Sequence, residues 1–203
     1  MNKTHMDLLL VRHGRTTANA KGLLLGHANP PLDELGRQQA ARLGDALRSG
    51  RFGTVARVIS SPLARTAETA SHIGLPVEID DRFIELNYGE FDEVPLAEVP
   101  AATWAEWRSN IHFRPPGGET LAELGIRVRS ACESLMVPDR APGLTVVVSH
   151  VSPIKAGAAW ALGGDDSLSW RLHLDPASIS GIVMRGASPV LSVFNETAHL
   201  ATE

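Results

Sequence analysis

Apolar residues follow two rhythms along this chain. Leu8-Leu9-Leu10-Val11 and Leu144-Thr145-Val146-Val147-Val148 are nearly unbroken apolar runs bounded by polar residues. Runs of that length without alternation fit strands covered on both faces. Asp7–Val11, Val55–Ile59 and Leu144–Val148 therefore read as buried strands, and Pro76–Ile79 as a shorter one. The second rhythm is helical. Leu35, Ala40, Leu43 and Leu47 recur behind Asp33, which predicts a helix capped by Asp33 and closed by Ser49-Gly50. Leu63–Ile73 reads as another helix, with Gly74 at its end. Two more are expected near 101–110 and 119–136, separated by Pro115-Pro116-Gly117-Gly118, and one rich in small residues runs from 151 to about 162. Residues 82–100 have no period and read as a loop. Ser178–Met184 and Val190–Phe194 alternate and read as an antiparallel pair. Strand and helix thus alternate through most of the chain, which predicts an α/β sandwich with a mostly parallel sheet and helices on both faces. The Pro30-Pro31 and Pro115-Pro116 pairs mark loops rather than linkers, so residues 1–203 read as a single domain.

The residues that stop the buried strands are the ones that suggest chemistry. The first strand ends in Arg12-His13-Gly14. The second ends in Ser60-Ser61-Pro62, with Arg65 one turn into the next helix. The strand at Leu144–Val148 ends in Ser149-His150. Open α/β sheets bind ligands outside the carboxyl ends of their strands. Neighbouring parallel strands would bring two arginines and two histidines together there. Guanidinium forks match phosphate oxygens. An imidazole between them, held neutral by the nearby positive charge, keeps a lone pair for attack at phosphorus. The second histidine can donate a hydrogen bond to the transferring phosphoryl group. Glu85, in the loop, could protonate the departing oxygen. The remaining histidines (His5, His27, His72, His112, His173 and His199) read as surface or core residues, with His27 nearest the expected mouth. Trp104 and Trp107 read as helix packing, and Cys132 as a helix core residue.

Composition narrows the class without naming a substrate. The chain has 203 residues, 43% hydrophobic and 21% charged, with a formal net charge of -4. A mildly acidic chain does not advertise nucleic-acid or membrane binding, so an anion site must be a local cluster of arginines. The lone cysteine, Cys132, excludes an intramolecular disulfide framework and a Cys-rich zinc site. Leu8–Val11 is too short for a signal peptide or a membrane span, which makes the cytoplasm the expected compartment. No ligand-spaced Cys/His/Asp cluster is visible, so neither a metal nor an organic cofactor is expected.

Five stretches resemble, in order, the motifs of the histidine phosphatase superfamily, the phosphoglycerate-mutase-like fold. Val11-Arg12-His13-Gly14-Arg15-Thr16-Thr17-Ala18-Asn19 is similar to the signature Arg-His-Gly-x-Thr-x-x-Asn. Leu32–Ala40, Ser60–Ala70, Pro116-Gly117-Gly118-Glu119-Thr120 and Val148-Ser149-His150 follow the later motifs. The resemblance implies a three-layer α/β/α sandwich around a mixed sheet and a phosphatase that needs no metal. It implies His13 as the phosphorylated nucleophile and Glu85 as general acid. Arg12, Asn19, Arg65 and His150 would hold the phosphate, and Gly26, His27, Glu119 and Val151 would meet the substrate. Two departures stand out. Residues 85–93 lack the family's Trp and final Gly, and Val151-Ser152-Pro153 replaces Gly-Gly after His150. The second variant resembles acid phosphatase domains fused to ribonuclease H, and the chain's length and motif order resemble α-ribazole phosphatases. The expected partner is a small-molecule phosphate ester, with no nucleic acid or membrane; a homodimer stays open. A phosphomutase and a non-catalytic phosphate-binding module are the alternative readings.

Overall fold

The computed structural model describes residues 6–137 and 143–201; His5 lies outside them. Six strands form one sheet. In chain order they are β1 (Leu8–Arg12), β2 (Val55–Ser60), β3 (Val77–Ile79), β4 (Leu144–Ser149), β5 (Ile179–Arg185) and β6 (Ser188–Glu196), and their order across the sheet is β3-β2-β4-β1-β5-β6. The pairs among β3, β2, β4 and β1 are parallel, and β5 and β6 are added antiparallel. This is the mixed α/β arrangement that the sequence resemblance implies.

Successive residues of β1 point to opposite faces, and the core divides accordingly. Leu8 and Leu10 pack with the helices α5 (Leu121–Leu135) and α6 (Val151–Ala161) and with Trp107 of α4 (Ala101–Ser109). Leu9 and Val11 pack on the other side with Leu43 and Leu47 of α2 (Glu34–Arg48) and Ala70 of α3 (Ala64–Ser71). All six residues of β4 are buried, as its unbroken apolar run requires. A short helix, α1 (Thr17–Ala20), follows β1. Asp33 caps α2 through the N–H of Gly36, and Ser49 closes it.

Two expectations need correction. Leu35 is 40% exposed, because the buried stripe of α2 runs through Gly36, Ala40, Leu43, Gly44 and Leu47. The first half of β2 is not buried either. Ala56 and Arg57 face solvent, since only the stretch from Val58 onward pairs with β3, and Arg57 reaches across to Glu78 at 2.6 Å. The loop over 82–100 contains the short 3-10 turn Gly89–Phe91, and a second such turn, Asp166–Arg171, lies where no element is predicted.

The loop after β1 is locked onto α2. A Cβ on Gly36 would meet the Arg15 carbonyl oxygen at 2.0 Å, so no larger residue fits there. Gly36→Ala is expected to destabilise the protein by about 1–3 kcal/mol through this backbone clash, read as a lower denaturant midpoint with an unchanged slope. An unchanged midpoint would show that the loop is not held by this contact.

Candidate active site

Register assembles the site. Arg12 of β1 lies opposite Ser149 of β4, and Ser60 of β2 lies opposite Val148. The ladder continues one step past the strands, with the N–H of His13 donating to Ser149 O at 3.0 Å and that of Ser61 to Val148 O at 3.0 Å. His13, His150 and Ser61 therefore sit side by side at the carboxyl edge, the position favoured for ligands in such sheets. The Gly14 N–H donates to Thr69 Oγ1 at 3.0 Å, which ties the loop after β1 to α3, the helix that carries Arg65.

His13 is 3% exposed, and its Nδ1 lies 2.7 Å from the carbonyl oxygen of Gly14. A carbonyl only accepts, so Nδ1 carries the proton and Nε2 the lone pair. Burial, then the positive charges of Arg65 and Arg12, hold the imidazole neutral, with its pKa well below 6.5. Folding therefore disfavours protonation of His13. As pH falls below about 6.5 the unfolded chain takes up the proton first, so stability drops towards the folded-state pKa. The denaturant midpoint is expected to fall between about pH 7 and pH 5, and His13→Ala to flatten that slope. An identical slope in the variant would show that His13 does not resist protonation.

The two guanidiniums differ in what remains free. Arg12 donates from NH1 to Leu174 O at 2.6 Å, while its buried Nε has no partner. Arg65 is fully buried and donates to Gly26 O and Ala28 O, both at 2.7 Å, and from Nε to His150 Nδ1 at 3.2 Å. These bonds use three of its five N–H groups and leave two. Desolvation brings both arginines down to about 10, offset first by Glu85, so both stay charged at neutral pH.

His150 sits beside His13 as expected, but its ring is hydrogen-bonded within the protein. Its Nδ1 accepts from Arg65, so Nε2 carries the proton and donates to Ser61 Oγ at 2.7 Å. Its ring stands 5.2 Å from that of His13, edge to face. Both nitrogens are thus engaged within the protein, and a bond from His150 to a phosphoryl group would have to replace the one to Ser61.

Glu85 is 3% exposed and sits on the N-terminus of α6. Its carboxylate accepts from the N–H groups of Leu86 at 2.7 Å, Val151 at 3.1 Å and Ser152 at 3.2 Å. His150, the N-cap residue of α6, makes no side-chain cap, so Glu85 does that work from a distant loop.

A cavity of about 470 Å³ opens beside His13, and Arg12, Asn19, Glu85 and Val151 line it. The Oδ1 of Asn19 accepts from the N–H and hydroxyl of Thr16, which leaves its NH₂ group for a ligand. Arg65 and His150, both 0% exposed, are not among the residues that line the cavity, and three expected substrate contacts do not line it either. Gly26 offers its carbonyl to Arg65, and the His27 ring lies 3.0 Å from Glu85 O. Glu119 is held in a two-point pair by Arg127, at 2.7 and 2.9 Å. Arg127 also donates to Arg82 O and Glu85 O, so it braces the loop that presents Glu85. Arg127 escaped the sequence reading, because nothing in its spacing singles it out. Arg15 and Asp175 line the cavity from loops, Lys155 from α6 and Trp170 from the 3-10 turn, and all were likewise unforeseen.

A neutral, buried imidazole between two charged guanidiniums, with a carboxylate opposite, defines an α/β site suited to phosphoryl groups. Comparison with known proteins gives the family. Residues 8–197 match the model of the histidine phosphatase superfamily (branch 1), and the chain belongs to that superfamily. The chain is 37% identical to the bifunctional protein Rv2228c of Mycobacterium tuberculosis, with 97% of this chain aligned. It spans only 56% of that relative's length. It is 35% identical to phosphoserine phosphatase 1 of Hydrogenobacter thermophilus, covering 96% of this chain and 94% of the relative. Among solved structures, mycobacterial glucosyl-3-phosphoglycerate phosphatase superposes with a TM-score of 0.83 at 26% identity, covering 95% of this chain and all of the other. Among the described residues, no helix is long and apolar enough to cross a membrane.

Proposed function

We propose that this chain is a single histidine phosphatase domain that hydrolyses phosphate monoesters of small metabolites through a phosphohistidine on His13. One observation carries the reading: the buried His13 keeps an unprotonated Nε2 beside two guanidiniums. Phosphatases named among its relatives support it.

In the first step Glu85 enters as the protonated carboxylic acid; His13 Nε2 forms a bond to phosphorus as the ester P–O bond breaks, and Glu85 gives its proton to the departing oxygen, becoming the carboxylate. Arg12, Arg65 and Asn19 hold the phosphoryl oxygens. His150 joins them by exchanging its bond to Ser61. In the second step water attacks phosphorus as the bond from phosphorus to His13 Nε2 breaks, the Glu85 carboxylate takes a proton from that water, and inorganic phosphate leaves with His13 and the Glu85 acid restored. Val151 donates its N–H to Glu85 and is one of the residues that line the cavity. The compartment we propose is the cytoplasm, with which the free thiol of Cys132 is compatible.

The test is release of inorganic phosphate from a panel of sugar phosphates, phosphoglycerates, phosphoserine, nucleotides and α-ribazole phosphate. Release with turnover supports hydrolysis. Transfer of phosphate between two organic acceptors without release would contradict it. Because two arginines supply the positive charge, activity is expected to survive excess chelator. Loss on chelation, restored by a divalent ion, would place a metal in the site.

A further inference from the structure

The cavity is far larger than a phosphate group, and its chemistry changes away from His13. Near the histidine it is lined by Arg12 and Glu85. Its remaining wall is made largely of Leu24, Leu96, Trp104, Leu121, Trp170 and Leu174, brought from five separate parts of the chain. Trp104 and Trp170 meet edge to face, with ring centres 6.2 Å apart. Trp107 behind them is 1% exposed and belongs to the core, so of the two helix tryptophans only Trp104 reaches the cavity.

The cations on the wall are mostly committed. Arg15 is tied to Asp33 at 2.7 Å, and Arg12 faces the phosphate end. His173, also on the wall, lies 3.0 Å from Asp175, and Lys155 has no ion-pair partner there among the described residues; desolvation lowers the pKa of Lys155. A leaving group bearing both a carboxylate and an ammonium would find polar partners at Lys155, His173 and Asp175 on one side, but would lose water against the leucines and tryptophans that make up most of the wall. A flat apolar group would gain from the same wall.

Resting on the hydrolase reading above, we infer that the substrates are phosphate monoesters of bulky apolar, preferably aromatic, alcohols. The apolar body is held by the wall of Trp104, Trp170 and the leucines, while the phosphate meets His13. Specificity on this account comes from the leaving group and not from the phosphate, which every ester shares.

The experiment compares 2-(naphthyl)ethyl phosphate with ethyl phosphate and phosphoserine. All three are esters of alkyl alcohols, so leaving-group acidity does not decide the result. The expected kcat/KM for the naphthyl ester exceeds that for ethyl phosphate by about a hundredfold or more, the range apolar pockets reach. Trp170→Ala should cut that ratio by about tenfold or more. Trp170 also touches Trp107, so Leu96→Glu, at a side chain 45% exposed, is the second variant and should lower the ratio without disturbing the core. Ratios within about threefold of one another across the esters would overturn the assignment. So would a preference for phosphoserine that disappears in Lys155→Met. Affinity of the His13→Ala protein for the naphthyl and ethyl esters, measured by calorimetry, separates the two claims. Tight naphthyl binding without turnover in the wild type overturns hydrolysis and keeps the apolar subsite. Turnover without naphthyl preference overturns the subsite and keeps hydrolysis.

Discussion

His13→Ala is expected to abolish phosphate release, lowering kcat by at least about 10⁴-fold, the scale seen when a covalent nucleophile is removed. The expectation follows from geometry. Gly14 O fixes the proton on Nδ1, and burial, then the charges of Arg65 and Arg12, keep the ring neutral, so Nε2 is a free nucleophile at the carboxyl edge of the sheet. No neighbour can take over. His150 has both nitrogens occupied, by Arg65 and Ser61, and its ring centre is 5.2 Å away. The fold should survive, because alanine removes one hydrogen bond to a local carbonyl and leaves the ladder from His13 N to Ser149 O in place. Far-ultraviolet circular dichroism and a retained denaturant transition check that. Activity within tenfold of wild type in a folded variant would remove His13 from the chemistry.

The second large effect is selective. Glu85→Gln is expected to slow esters of alkyl alcohols by about 10²–10⁴-fold while costing an activated aryl phosphate less than about tenfold. An alkoxide is a poor leaving group and needs the proton that Glu85 supplies; a nitrophenolate does not. Glutamine keeps one oxygen for the N–H groups that the carboxylate now accepts from Leu86, Val151 and Ser152. It loses the second acceptor, so some loss of stability should accompany the loss of rate. The ratio of the two substrates isolates the proton from that structural cost. Equal losses for both would leave Glu85 as a cap for α6 and nothing more.

Much of this was legible in the chain because the relevant signals are local. β1 and β4 are continuous apolar runs, and each ends where Arg12-His13 or Ser149-His150 begins. Asp33 announces α2 because a side-chain cap and an apolar stripe sit in one short window. What was not legible depends on distant partners. Leu35 fits a helical spacing, yet it lies off the stripe that packs against the sheet. The exposure of Ala56 and Arg57 is set by where the short β3 begins. Glu119, expected to meet the substrate, is instead paired with Arg127, a contact that only the packing of α5 reveals. The apolar wall draws on residues 24, 96, 104, 121, 170 and 174, and no periodicity links them.

The central claim is that the phosphoryl group passes through His13. The most direct measurement is rapid-quench trapping of the wild-type protein turning over a ³²P-labelled ester, followed by peptide mapping. The account predicts an alkali-stable, acid-labile phosphoryl group on the peptide that contains His13, absent from His13→Ala. Steady turnover with no trapped label at any quench time, or label carried by another residue, would contradict it.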